Sequence, residues 1–171
     1  HTFGGDALLP DSLRYENAAR ETVSFSRVSW LAGGFAIERE DGTWFELTDQ
    51  FAWFDAAKSR TSARFDNLPP GKYRALRFHI GPDAKWNAAD PAKLPPDHSL
   101  NANLNGLHWS WQGGYIFLAI EGLWRSAHDA AAQPQNLQPQ GFAHHLARDP
   151  NRTRVSLAAP LDLTHDAAVM L

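Results

Sequence analysis

The chain has 171 residues, a formal net charge of −3, no Cys and one Met. This length suits a single domain with a substantial core, and the charge excludes the broad basic face that nucleic-acid binding requires. The sequence has no apolar run long enough to cross a bilayer. The absence of Cys fits exported and cytosolic proteins alike, so it leaves the compartment open.

Strand-like pieces separated by Gly, Pro, Asn and Asp follow one another along the first half of the chain. Between Thr22 and Trp30 the alternation of apolar residues shifts register, as a β-bulge would produce. Asp41-Gly42 predicts a hairpin turn between two strands. The strand-like segments predicted here are 22–30, 35–39, 43–47, 50–55 and an edge strand at 61–65.

Three further strands are predicted in the second half, at 74–80, 114–121 and 152–157. Segment 114–121 is apolar on both faces, which indicates a central strand. In the last strand, Val155 and Leu157 are expected to face inward. We therefore predict an all-β fold, an antiparallel β-sandwich with long irregular loops and little helix, formed by a single domain over residues 1–171.

The sequence has two long irregular segments, and both chain ends suggest that it has been cut or processed. Residues 81–106 form the longest loop, and loops of this length in a compact domain are usually functional. A second irregular stretch, 126–140, is expected to be a mobile hairpin tip. The apolar run 166–171 carries no stop signal, which indicates truncation at one or both ends. The first residue, His1, either follows a removed signal peptide or marks an excerpt.

Histidines supply the candidate metal ligands, because a chain without Cys must build a soft-metal site from imidazole. His98 and His108 flank the Asn-rich end of the long loop, and His145 lies where a new strand begins. His79, at the end of a predicted strand, could join them from the sheet. Each is equally typical of a histidine that caps a turn or packs, and the spacing matches no standard zinc or calcium motif.

Three tryptophans are candidates for oxidation by nearby redox chemistry. Trp109 and Trp111 follow His108 directly, although both are also typical of core aromatics. Trp86 stands in the long loop, where no strand requires it, and is either a lid over a cavity or an exposed platform. Signs of catalysis are weak, because the chain has no GxSxG motif and its loop aspartates are typical of turns. We therefore expect the protein not to be an enzyme.

A set of motifs spread over nearly the whole chain resembles the MbnP-like domain family, which consists of periplasmic proteins named after a methanobactin-associated copper protein. The most specific is Gly106 to Tyr115, Gly-Leu-His-Trp-Ser-Trp-Gln-Gly-Gly-Tyr. The other motifs include Gly81-Pro82-Asp83, Asn87, Asp90-Pro91, 97–101 (Asp-His-Ser-Leu-Asn), 118–122 (Leu-Ala-Ile-Glu-Gly) and 142–147 (Phe-Ala-His-His-Leu-Ala).

The resemblance implies a β-rich, exported protein, periplasmic or extracellular, that takes part in copper homeostasis and binds Cu(I) or Cu(II). It also implies a partner, a di-haem enzyme similar to cytochrome c peroxidases and MauG. In related copper-repressible surface proteins of methanotrophs, a Trp is converted to kynurenine and binds Cu(I) together with two histidines. That Trp lies two residues before a ligand His, and this chain has no Trp-x-His sequence.

Two other functions fit the same residues. One is a carbohydrate- or peptide-binding module in which Trp86 and Trp111 stack on the ligand and Asn101, Asn103 and Asn105 donate hydrogen bonds. The other is a purely structural domain, in which the histidines lie far apart and bond to the backbone. The positions of the imidazoles and the exposure of the indoles distinguish these alternatives.

Overall fold

The computed structural model of the protein describes residues 1–126 and 138–164, so most of the predicted hairpin tip at 126–140 lies outside the described residues. The elements are β1 (Thr2–Phe3), β2 (Asp6–Ala7), β3 (Tyr15–Glu16), β4 (Thr22–Arg39), β5 (Trp44–Asp55), β6 (Lys72–Ile80), α1 (Ala84–Asn87), α2 (Ala102–Asn105), β7 (Ile116–Arg125), β8 (Gln140–Ala147) and β9 (Thr153–Asp162).

The 18-residue strand β4 organises the fold because its two halves pair with different neighbours. Its first half pairs with β7, and its second half pairs with β6 along the same edge. The opposite edge pairs with β3 and β5. Beyond these strands, β8 extends the sheet from β7 and β9 extends it from β6. All of these pairings are antiparallel, and the predicted all-β antiparallel sandwich is confirmed.

Local irregularities in β4 follow the sequence signals. The register of β4 against β7 shifts between Phe25 and Arg27, where a bulge was predicted. A second shift occurs near Gly34, which adopts φ +61°. The predicted hairpin at Asp41-Gly42 is also confirmed, since Gly42 has φ +85° and the N–H of Arg39 donates to the carbonyl of Thr43 at 2.8 Å.

Some predicted boundaries were wrong. Segment 35–39 continues β4, and 50–55 continues β5, because these strands run on through bulges instead of ending at them. Segment 61–65 forms no strand; its Phe65 instead packs as a loop residue on the ring of Phe35, at 4.5 Å between centroids. Leu157 is 48% exposed, because β9 lies at the end of the sheet order with a single neighbouring strand.

The long loop covers one face of the sheet. Leu100 and Leu107 from the loop are fully buried against Leu31, Trp53 and Phe117 of the sheet in one core cluster. A second cluster, built around Phe35 and Ile37, lies among β4, β5, β6 and β9. The loop thus closes the core, which explains its order without long helices.

Side-chain caps hold the loop in shape. Asp83 caps α1, Asp90 caps a 3-10 turn at Pro91–Lys93, and Asn101 caps α2. Each side-chain oxygen accepts a backbone N–H that would otherwise be unpaired. The interpretation of Asp83 and Asp90 as turn formers is therefore confirmed.

We expect Gly122→Ala to destabilise the protein by about 3 kcal/mol, because the added methyl would overlap the backbone oxygen of Ser24 in the adjacent strand. The matched control is Gly141→Ala on β8, which meets nothing within 4 Å and should change stability by about 0.5 kcal/mol or less. Urea denaturation of both variants is the measurement. Equal stabilities would contradict the tight pairing of β7 with β4.

Candidate functional site

A row of polar side chains crosses three strands on the face covered by the long loop. Arg27 on β4 lies opposite Glu121 on β7, and His145 on β8 lies opposite Ala119, two residues before Glu121. Alternation along the strands places all three side chains on one face. The carboxylate of Glu121 contacts Arg27 at 3.3 Å and the Nε2 of His145 at 2.8 Å.

The Glu121 contact defines the chemistry of His145. A carboxylate accepts hydrogen bonds only, so Nε2 of His145 carries the hydrogen. In the neutral ring the lone pair then lies on Nδ1, where it can bind a metal. A carboxylate that holds the far nitrogen of a histidine ligand is a common arrangement in metal sites. The side chains of His145 and Glu121 are 27% and 30% exposed, so solvent reaches the pair.

Trp109 lies beside His145 at the base of a tight turn. The ring centroids of Trp109 and His145 are 6.0 Å apart. The carbonyl of Trp109 accepts the N–H of Gly113 at 2.8 Å, and the N–H of Trp109 donates to Gly114 at 3.1 Å. Segment 109–113 is therefore a turn, and Gly113 and Gly114 adopt the positive φ angles that it requires.

The two adjacent tryptophans differ in exposure. Trp109 packs against the first core cluster. Trp111 is 77% exposed, and its ring lies 5.6 Å from that of Trp109. The interpretation of both as plain core aromatics therefore holds for Trp109 and is wrong for Trp111.

Two adjoining clefts open beside the turn. One, of about 350 Å³, is lined by Trp109, Arg148 and Asp149 among others. The other, of about 470 Å³, is lined by His108 and Asp90 among others. The amide of Asn87 lies between them: it donates to the carboxylate of Asp149 at 2.8 Å and accepts the N–H of Tyr115 at 2.8 Å.

His108 packs edge-on against Tyr115, with ring centroids 5.0 Å apart. Burial lowers the pKa of His108, while the charge of Asp90 opposes that shift. The ring is therefore neutral at pH 7, the form in which imidazole binds metals. Burial also raises the pKa of Tyr115 to about 12, so its hydroxyl stays a donor to the carbonyl of Leu100, at 2.6 Å.

His98 belongs to a second His–Trp pair. Its ring stacks on Trp86 at 6.0 Å with an interplanar angle of 18°. Burial lowers the pKa of His98. However, its Nδ1 accepts the N–H of Leu100 at 3.1 Å, which places the hydrogen of the neutral ring on Nε2. The indole N–H of Trp86 donates to Asp49 at 2.8 Å. Both partners of this pair are thus already engaged.

His79 lies in a cationic environment. Burial lowers its pKa, and the positive charge of Arg152, followed by Arg77 and Arg154, lowers it further. The same positive charges oppose a bound metal cation, so the geometry does not favour the reserve role predicted for His79.

The predicted ligands do not form one compact set. Over residues 1–126 and 138–164, no three His, Asp or Glu side chains come together in a way that could hold a metal ion. His98 lies with Trp86, His108 with Tyr115, His145 with Trp109 and His79 with Arg152. Metal binding by His98, His108, His145 or His79 stays a prediction.

Two of the three asparagines of the carbohydrate-binding alternative, Asn101 and Asn105, have structural roles. Asn101 and Asn105 are 6% and 3% exposed. The side chain of Asn101 donates to the carbonyls of Leu94 and Pro95, each at 3.0 Å. That of Asn105 donates to Ser99 at 2.8 Å and accepts the N–H of Leu107. These two amides are therefore not available to a ligand.

Sequence reasoning missed Glu121 and Arg27. Glu121 is a lone carboxylate in an otherwise apolar central strand, and that isolation was a usable signal. Arg27 donates to the carbonyls of Asn105 and Gly106, at 3.2 and 3.0 Å, so it also fixes the end of the long loop. Nothing in the sequence indicated this second contact.

Fold and site together define an all-β antiparallel sandwich with a carboxylate-held histidine beside a packed tryptophan. Comparison with known families matches residues 1–170 to the family MbnP, and the chain belongs to that family. Among solved structures, it is similar to MbnP from Methylosinus trichosporium, with a TM-score of 0.57 and 17% identity over 91% of this chain and 68% of that one. A comparison with proteins of curated function finds no match. None of the helices in the described ranges is long and apolar enough to span a membrane.

We expect Asn105→Ala to destabilise the protein by about 2 kcal/mol, because it leaves the partly buried carbonyl of Ser99 and the buried N–H of Leu107 without their partner. Asn103→Ala, at an exposed position of the same short helix, should be near neutral. Thermal denaturation of both variants is the measurement. A ligand-binding role without a stability role for Asn105 would give equal melting temperatures.

Proposed function

We propose that this protein is an exported copper-binding protein of copper homeostasis, located in the periplasm or outside the cell, and not an enzyme itself. We further propose that a di-haem enzyme similar to MauG and cytochrome c peroxidases oxidises its Trp109 to kynurenine. Membership of the MbnP family, whose resemblance carries these expectations, supports the general assignment. The single observation that carries the site is the His145–Glu121 hydrogen bond beside the ring of Trp109.

The donors at this position suit copper. His145 offers the lone pair of Nδ1 while Glu121 holds its Nε2–H. Conversion of Trp109 to kynurenine cleaves the C2–C3 bond of the indole, with dioxygen or hydrogen peroxide as the oxidant used by the di-haem enzyme. Hydrolysis then releases C2 as formate and frees an aniline nitrogen, which is a second donor of intermediate softness. His108, next to Trp109 in the chain, packs on Tyr115 in the structure, and it would need to turn toward Trp109 to serve as the second imidazole of the proposed set. Cu(I) accepts such a low coordination number, and imidazole donors suit copper in either oxidation state.

The conversion of Trp109 to kynurenine would also explain why the histidines of the unmodified chain lie apart. Within residues 1–126 and 138–164, no three His, Asp or Glu side chains come close enough to form a metal site before Trp109 is modified. A nitrogen created at Trp109 would be added next to His145 without any movement of the sheet. In this proposal the oxidation of Trp109 precedes copper binding.

Trp109 is a better target than the other two candidates. The ring nitrogen of Trp86 is engaged by Asp49, and its partner His98 has Nδ1 occupied by Leu100. Trp111 is mostly solvated, and a metal held there would stay hydrated. Trp109 packs against the core, and the exposed ring of Trp111 lies beside it. An oxidising partner can therefore approach through Trp111 without entering the fold.

Peptide mass spectrometry and Cu(I) titration test the proposal. After co-expression with its di-haem partner, we expect the kynurenine mass on the peptide containing Trp109. Titration against a Cu(I) chelator should show at least about tenfold weaker binding for His145→Ala and for Glu121→Gln. The matched control is His144→Ala, the neighbour of His145 on the opposite face of β8, which should bind as the wild type does.

Two results would contradict the proposed site. Kynurenine found on Trp86, with Cu(I) affinity lost in His98→Ala and retained in His145→Ala, would move the site to the other His–Trp pair. Absence of Cu(I) binding by protein that carries kynurenine would reject the copper function itself.

A further inference from the structure

A second group of polar side chains lies on strands β6 and β9. Arg77 and His79 are two residues apart on β6 and therefore share one face. Across the ladder, His79 lies opposite Arg154 and Arg77 lies opposite Ser156. Arg152, which precedes β9, reaches the same place and donates from Nε to the carbonyl of Gly81 at 3.3 Å. This set of Arg77, His79, Arg152 and Arg154 is called the basic face below.

Gly34 has no side chain, and this leaves space for two side chains of the basic face, Arg152 and His79. A methyl group there would lie 2.6 Å from Nη2 of Arg152 and 3.1 Å from Nδ1 of His79. Gly34 also adopts φ +61°, which disfavours any side chain. The guanidinium and the imidazole therefore converge over bare backbone, and a side chain at residue 34 would displace them.

Two nitrogens of the basic face have no hydrogen-bond partner among the described residues. They are Nε of Arg77 and Nδ1 of His79, and both are shielded from solvent. The backbone of Gly34 lies close enough to the ring to raise the pKa of His79 against the other effects, but its geometry falls short of a hydrogen bond to Nδ1. Buried donors without partners cost free energy, so native structures usually satisfy them with water or a bound group. Nε of Arg77 always carries a hydrogen, and Nδ1 of His79 carries one in one neutral tautomer and in the charged ring, so each can donate to an acceptor that reaches it.

The local charge favours an anionic acceptor. The charged groups that act on His79 are all cationic, namely Arg152, Arg77 and Arg154. Glu46 pairs with Arg77, and Asp83 and Asp149 act on Arg152. In the described ranges Arg154 is exposed and has no ion-pair partner. These carboxylates offset the charges of Arg77 and Arg152, so within the described ranges Arg154 is the cation of the basic face that an anion could still neutralise.

We propose that the basic face binds an oxyanion, a carboxylate or phosphate group, held by Arg154 at the rim with Arg152 and His79 behind it. Guanidinium groups bind both kinds of oxyanion through paired, charge-assisted hydrogen bonds. The inference is independent of the copper proposal, because it uses none of the residues around Trp109. It also gives His79 a role that its cationic neighbours allow.

NMR titration of the full chain with sodium phosphate and with sodium acetate tests this proposal, with sodium chloride at equal ionic strength as the reference. We expect the ring signals of His79 to shift saturably with phosphate and to be unaffected by chloride. Arg154→Gln should weaken binding by about tenfold, the loss of one charge-assisted contact. Arg64→Gln removes an exposed arginine that pairs with Asp66 elsewhere and should leave binding unchanged.

The two probes separate the possible ligands. Saturation by phosphate alone assigns the site to phosphate groups, and saturation by both assigns it to oxyanions that include carboxylates. Shifts that grow linearly with every salt would overturn the proposal. So would equal losses of affinity in Arg154→Gln and Arg64→Gln, because these would show a general effect of charge.

Discussion

The carboxylate of Glu121 connects the parts of this protein that matter for its chemistry. Through Arg27 it reaches the carbonyls that end the long loop, and through His145 it reaches strand β8. One side chain on the central strand thus links the loop that covers the core to the strand that presents the imidazole. The orientation of His145 beside Trp109 follows from this link.

The contacts of Glu121 with Arg27 and His145 orient His145 more than they stabilise the fold. Arg27, Glu121 and His145 all remain partly exposed, and ion pairs in such positions are worth about 1 kcal/mol or less. Apolar burial, such as that of Leu100 and Leu107 under the loop, is the larger stabilising contribution. The core therefore positions the site roughly, and Glu121 then selects the tautomer of His145.

Opposite electrostatics distinguish the two sites that the sheet carries. His145 faces a carboxylate, which favours a nearby cation, whereas His79 faces three arginines, which disfavour one. Local sequence does not distinguish these two histidines, since each lies in or next to a strand with apolar neighbours. Their different environments arise from residues far apart in the chain that strand pairing brings together.

Local patterns predicted the strands, the bulge near Phe25 and the hairpin at Gly42, because alternation and turn residues act over a few positions. They did not predict that Phe65 packs from a loop or that Leu157 faces solvent, since both depend on which strands become neighbours. For the site, sequence identified His145 and Trp109 as candidates. It could not identify Glu121 as the residue that orients them, because that role depends on cross-strand register.

Long-range nitrogen–proton NMR of the metal-free protein shows which ring nitrogen of His145 carries the hydrogen. We expect the hydrogen on Nε2 in the wild type and a mixture of tautomers in Glu121→Gln. A hydrogen on Nδ1 in the wild type would show that Glu121 does not orient the ring.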